Sequence, residues 1–315
     1  MRIHRVSSRI QAIEIDSYFT LLYAARNLEF PKTISDAWSA LLRGMNQQQK
    51  NAILMEQVFP LFSVRHEAAF PAHESLPLLR ELGFNEWQAI VYWVRINNIK
   101  TFDSILKKLL NVCFCLTVLG SVDKTRRKIL KEIFWSSAGE EDNQAYSTLV
   151  NSAILRLNEE SLYFFSAARK KFSFHFIDRV LNGAVGAVYN HAVAHIEHVL
   201  PQNSDRWIND NGWTSELIGE WTQKIGNLVL LPARINIQAS NLPFSEKVLA
   251  IQAAVNVGGH NINAYGLRFV FDDQPLVNIS WTPDYVRIRH QSIINKIKDR
   301  LNSSIFKRDD VNAVM

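Results

Sequence analysis

The ten residues AHIEHVLPQN, Ala194 to Asn203, decide how the whole chain is read. They place His195, Glu197 and His198 in one short β-compatible run that stops at Pro201. Proline has no backbone N–H to offer a strand ladder, so the polar residues fall at a strand's end. Taken alone, the cluster fits a reactive centre, polar residues in a buried strand, or a zinc site. The sequence that follows separates these readings. A polar, tryptophan-containing loop, QNSDRWINDNGWTSEL, leads to IGNLVLLP, an apolar run bounded by Gly226 and Pro232 that predicts a second short strand. ARINIQASNLPFSEKVLAIQAAV then passes from loop to helix. Residues 195–250 therefore read strand, loop, strand, loop, helix, the outline of a ββα-metal finger.

Upstream, residues 1 to about 190 read as helical. IDSYFTLLYAARNLEF repeats apolar residues at helical intervals. TISDAWSALLRGM offers Thr33 or Ser35 as a cap and ends near Gly44. FDSILKKLLNVCFCLTVLG is a long amphipathic segment stopping at Gly120. The cluster Lys124, Arg126, Arg127, Lys128 and Lys131 reads first as a solvated helix face and second as a phosphate contact. SSAGEEDNQAY, residues 136–146, is expected to be a loop, and LRFVFDDQPLVNISW a two-stranded excursion around Asp272 to Pro275. The final helix is predicted from TPDYVRIRHQSIINKIKDRL. Thr282 caps it, Pro283 occupies its first turn, Asp284 complements its dipole, and Val286, Ile293, Ile294, Ile297 and Leu301 form its apolar stripe. The expected fold is mainly α (α+β): a helical domain over 1–190, serving as a partner-docking or DNA-binding scaffold, then a ββα-metal domain over 191–315 embedded among helices.

Composition sets the limits. With 315 residues, 47% of them hydrophobic, the chain can bury a substantial core. A formal net charge of +5 mildly favours anionic partners, nucleic acid first. Cys113 and Cys115 stand too close together for an ordinary zinc pair and are expected to be buried free thiols. No apolar run has signal-peptide or membrane-spanning character, so the expected setting is the cytoplasm, with no membrane partner. VGGHNINAYG lacks the strand–glycine–helix context of a phosphate loop, and no GxxxxGK[ST] motif occurs, so no nucleotide site is found.

Several residues now form an ordered series: Ile196-Glu197-His198-Val199-Leu200-Pro201-Gln202, Trp207, Ile225-Gly226-Asn227-Leu228-Val229-Leu230-Leu231, Asn236, Asn241, Phe244, Lys247, Trp281 and Arg289. This series resembles the HNH (His-Me finger) nucleases. More narrowly, it is similar to the C-terminal nuclease domain of GmrSD-type modification-dependent restriction endonucleases. The resemblance implies a metal-dependent DNA endonuclease of restriction or antiphage defence. His198, whose ordinary pKa lies near neutrality, is the implied general base. Glu197 and Asn236 are the implied hard oxygen ligands of one Mg²⁺ or Mn²⁺. Asn227 is expected to support, pinning a loop or orienting His198. Lys247 is expected to steady a phosphate or the transition state. His195, Arg234, Asn241 and Arg289 are the expected nucleic-acid contacts.

Singly, His198 also fits a hydrogen-bonded core residue, Asn227 a turn and Asn236 a helix cap; their joint order and spacing favour the nuclease site. In fused family members a nucleotide-hydrolysing, DNA-sensing domain precedes the helical region. Here such a function is expected from a separate partner subunit, the chain being a nuclease subunit, a fragment or a stand-alone relative. Two other functions remain open at this point: a catalytically idle nucleic-acid-binding or assembly subunit, and an HNH-type RNase toxin.

Overall fold

The computed structural model describes residues 20–53, 75–80, 82, 84–97, 101–136, 144–158, 173, 176, 194–202, 207–208, 211–232, 237, 242–249 and 280–303. Arg234, Asn236 and Asn241, the Asp272–Pro275 excursion, most of the expected 136–146 loop and the expected boundary at residue 190 lie outside them.

The protein is mainly helical, and the described residues hold one two-stranded sheet. In order, the elements are α1 (Ile34–Leu42), α2 (Gln47–Ile53), α3 (Ser75–Arg80), α4 (Trp87–Ile96), α5 (Phe102–Val118), α6 (Asp123–Phe134), α7 (Gln144–Asn158), β1 (Ala194–His198), α8 (Ser215–Trp221), a 3₁₀ turn (Ile225–Asn227), β2 (Leu228–Pro232) and α9 (Pro283–Ser303). The chain divides into two compact units. One comprises Met1–Leu79, Gly83–Cys113 and Ser121–Tyr146; the other comprises Arg80–Leu82, Phe114–Gly120 and Ser147–Met315. No described helix is long and apolar enough to cross a membrane.

In the first unit, Thr33 rather than Ser35 caps α1. Its hydroxyl accepts from the Asp36 amide, and the Asp36 carboxylate accepts from the Thr33 amide, a reciprocal capping box. Gly44, which follows the helix, takes a positive φ of 71°. The basic cluster on α6 is not one uniform face. Lys124 and Lys128 are exposed, whereas Arg126 is buried, its guanidinium donating to Glu86, Asp123 and the Ser121 carbonyl and lying 4.5 Å over the Phe84 ring. Cys113, in the first unit, and Cys115, in the second, are fully buried and form no disulfide, and burial pushes the Cys115 thiol well above its ordinary value. Desolvation disfavours a thiolate, so this cysteine is inert packing.

In the second unit, β1 and β2 pair antiparallel from Ala194 opposite Pro232 to His198 opposite Leu228. Successive strand residues point to opposite faces, so His195 and Glu197 share one face and Ile196 and His198 the other. Residues 244–249 form a helical turn carrying Lys247. Helix α9 begins as its sequence predicts: Thr282 accepts from the Tyr285 amide through its hydroxyl and from the Val286 amide through its carbonyl. Val286, Ile293, Ile294, Ile297 and Leu301 are all buried. The 3₁₀ turn packs on this helix at Gly226. A Cβ there would collide with the Val286 carbonyl oxygen and stand 2.7 Å from the His290 Cβ. Only glycine lets the two backbones approach so closely.

Candidate active site

The site is built on the end of β1. Glu197 is about seven-eighths buried, and its Oε1 accepts from the Lys247 ammonium at 2.6 Å. The same ammonium donates to the His198 carbonyl at 3.0 Å. Lys247 therefore ties the 244–249 turn to the last two residues of β1. Burial raises the Glu197 carboxyl above its ordinary value and lowers the Lys247 ammonium, and in both the attraction of the partner opposes the shift. Lys247 is only 1% exposed. This corrects the expectation that it meets a phosphate: an ammonium enclosed between a carboxylate and a carbonyl positions those groups.

Asn227 holds the loop that follows His198. Its Nδ2 donates to the Leu200 and Thr222 carbonyls, both at 2.9 Å, and its Oδ1 accepts from the Leu200 amide at 2.7 Å. Its backbone carbonyl accepts from the Val199 amide at 3.0 Å. One fully buried amide thus fastens the segment after β1 to the segment before β2. The Oδ1 also accepts from the Trp281 indole at 3.1 Å, and the Trp281 carbonyl accepts from the Trp213 indole at 2.6 Å. Trp281 stacks on Phe244, with ring centroids 5.2 Å apart, so the same indole braces the turn carrying Lys247.

Arg289 was expected on nucleic acid, and its position corrects that too. It is 2% exposed, and its Nη1 donates to the carbonyls of Ile225, Gly226 and Leu228. Burial lowers its pKa to about 10, which leaves it cationic at neutral pH. The 3₁₀ turn presents its carbonyls to α9 because Gly226 sits against that helix, and a guanidinium fork answers several carbonyls at once. Arg289 thus holds the turn whose last residue, Asn227, secures the loop after β1. His195 is exposed on β1, on the Glu197 face of the strand.

His198 is partly buried. Its Nε2 lies 3.1 Å from the Gln223 Oε1 and 3.5 Å from the Gln202 Nε2. Gln223 carries no motif signal, being one polar residue in a turn before an apolar strand; only the fold brings it to His198, 25 positions away in sequence. Gly226 had a signal, its place before Asn227, but the reason for it is the packing on α9. The structure therefore pairs the Glu197 side chain with Lys247 and the His198 ring with Gln223, with Asn227 holding the loop beyond them. Among the described residues no group of three or more His, Cys, Asp or Glu side chains could hold a metal ion. A hard cation here would need the one carboxylate of Glu197 with amide, water and phosphate oxygens, a donor set that suits Mg²⁺ and not zinc.

No curated protein and no solved structure matches the chain. A family model described as the C-terminal domain of GmrSD restriction endonucleases matches residues 124–296, more than half of the chain and all of the site just described. The protein thus belongs to the family of the GmrSD restriction endonuclease C-terminal domain.

Proposed function

We propose that the protein is an HNH-type, metal-dependent DNA endonuclease that nicks or cuts phage or modified DNA in restriction. The observation that carries this reading is the junction of β1 and its loop. A buried carboxylate (Glu197) and an imidazole (His198) are consecutive there, and the loop beyond them is clamped by the Asn227 amide. Phosphodiester hydrolysis needs an activated water, charge neutralisation at phosphorus and help for the leaving oxygen. His198 accepts the proton of the attacking water. Glu197, with Asn236, would hold one Mg²⁺ or Mn²⁺, which when bound neutralises phosphate charge and assists the leaving oxygen. Lys247 orients the Glu197 carboxylate, and Asn227 keeps the His198 loop in place. Exposed His195, with Arg234 and Asn241, contacts the nucleic-acid backbone. The setting is the cytoplasm, and a separate nucleotide-hydrolysing, DNA-sensing subunit supplies any dependence on nucleotide.

The test is an incubation of the protein with plasmid, modified phage DNA and RNA, with Mg²⁺ or Mn²⁺, with and without nucleotide. Cleavage of DNA should stop in EDTA, and a general base contributes about 10²- to 10⁴-fold, so His198→Ala should lose that much of the rate. Cleavage that survives both treatments overturns the reading. Cutting of RNA with DNA spared replaces the substrate, and binding without cutting by the wild-type chain replaces catalysis with an assembly role.

A further inference from the structure

We propose that Lys247 sets the metal preference of the site: it withholds one oxygen of Glu197, so that the carboxylate serves Mg²⁺ or Mn²⁺ better than Ca²⁺. The proposal rests on the reading of Glu197 as a metal ligand. The Glu197 Oε1 accepts from the Lys247 ammonium at 2.6 Å, which leaves Oε2 as the oxygen to offer a cation. A divalent cation that also reached Oε1 would share that oxygen with an ammonium, and like charges repel strongly in so buried a place. The same ammonium donates to the His198 carbonyl at 3.0 Å. Ca²⁺ fills its about six to eight positions with carboxylates bound through both oxygens and with main-chain carbonyls. Mg²⁺ keeps a tight octahedron and needs only one or two carboxylates beside its waters and phosphate oxygens, and Mn²⁺ shares that preference for hard oxygens. Lys247 thus engages two donors of the kind that Ca²⁺ recruits. Among the described residues no group of three or more His, Cys, Asp or Glu side chains could hold a metal ion, so within them the withheld oxygen is not made up.

Lys247 is built to stay where it is. Its side chain is almost fully enclosed, and an ammonium that left its two acceptors there would be stranded without water. Its backbone amide donates to the Pro243 carbonyl at 2.8 Å. Its neighbours on the turn, Phe244 and Val248, are buried. Phe244 stacks on Trp281, and the Trp281 indole donates to the Asn227 Oδ1 at 3.1 Å. The residue that secures the loop after β1 therefore also braces the turn that carries the ammonium. The charge of Lys247 opposes every divalent cation alike, whereas the withheld oxygen opposes chiefly the ion that would use both. A ratio of two metal affinities separates these effects.

The experiment measures binding of the metals alone to the full chain. Mn²⁺ is followed by its paramagnetic resonance signal, and Ca²⁺ by its displacement of Mn²⁺. Glu197→Gln should lose Mn²⁺ binding. Lys247→Met, unbranched and of similar length, should raise the affinity for Ca²⁺ relative to Mn²⁺ by about 10- to 100-fold, the scale on which partners of metal ligands act. Circular dichroism checks that the variant is folded. Infrared difference spectra, metal-loaded minus metal-free, report separately whether a carboxylate binds through one oxygen or both, and the Glu197 bands are those missing in Glu197→Gln. The one-oxygen pattern is expected in the wild type with either ion, and the two-oxygen pattern in Lys247→Met with Ca²⁺. A two-oxygen pattern in the wild type overturns the proposal, even where Lys247→Met does not fold. So does an unchanged affinity ratio in folded Lys247→Met; if Glu197→Gln has meanwhile lost Mn²⁺, Glu197 remains a ligand and only the selecting role of Lys247 falls. Full Mn²⁺ binding by Glu197→Gln removes both the ligand reading and the proposal.

Discussion

Two buried arginines, one in each unit, do different work. Arg126 in the first unit answers a side-chain carboxylate, Glu86, which is itself 8% exposed, together with Asp123. Arg289 in the second unit answers backbone carbonyls of the turn that carries Asn227. The first is mainly an ion pair between replaceable side chains, with a single main-chain oxygen, that of Ser121, beside it. The second uses a charge to gather main-chain oxygens that no substitution can remove. A buried ion pair can be exchanged as a unit for apolar residues of like volume, because both the charges and their desolvation vanish together. A guanidinium on carbonyls has no such exchange, since its loss leaves the acceptors buried and unanswered. The difference marks Arg126 as packing and Arg289 as support for the site.

The comparison can be broken most forcefully at Arg289. Arg289→Met should cost about 4 kcal/mol, the range for stranding buried partners of a charged group. Denaturant melts would measure the loss, and cleavage should fall with it as the Asn227 turn loosens. A melt within about 1 kcal/mol of wild type would show that the three carbonyls do not depend on the guanidinium.

Next comes His290, which follows Arg289 and packs edge-on against Trp221, with ring centroids 5.7 Å apart. Burial lowers its pKa from 6.5 to about 4, with the nearby Lys224 and Arg289 charges adding to the effect. The folded value lies below the unfolded one, so the unfolded chain binds more protons in between. The neutral ring's contribution is complete above about pH 6.5 and is lost as pH falls towards about 4. The full difference amounts to about 3 kcal/mol. Stability measured by denaturant from pH 7.5 downward should fall across that window, and His290→Gln should flatten the fall. An unchanged slope in the variant would assign the acid sensitivity elsewhere.

A double variant, with the smallest net effect, sharpens the contrast from the other side. Arg126→Met alone should cost about 3 kcal/mol by leaving Glu86 buried, while the double variant Arg126→Met with Glu86→Leu should return to within about 1 kcal/mol of wild type. Failure of the second substitution to restore stability would mean that the Ser121 carbonyl and the Phe84 ring carry the arginine's value.

The elements that carry the candidate residues were legible in the sequence. Glu197, His198 and Asn227 stand in the series that resembles the HNH nucleases, and they lie at the end of β1 and at the turn before β2. The two strands, the Thr282 cap and the buried stripe of α9 followed from turn residues and periodicity, which act over a few neighbours. The roles of Lys247 and Arg289 did not follow. A cation in a nuclease-like series reads as a phosphate contact, and only its burial and its partners show that it faces inward. Gln223 escaped for the opposite reason, since an isolated glutamine has no pattern to be found by.

What the sequence determined by itself is therefore local: helices in the first part, and two short strands, the first ending in a carboxylate and an imidazole. What the tertiary structure alone decided is which polar groups meet. Lys247 lies 50 residues from Glu197, and Arg289 lies more than 60 residues from the turn it holds. Contacts at that separation depend on the packing of Gly226 against α9 and of Trp281 on Phe244, because the cost of burying a charge is offset only where folding delivers its partner.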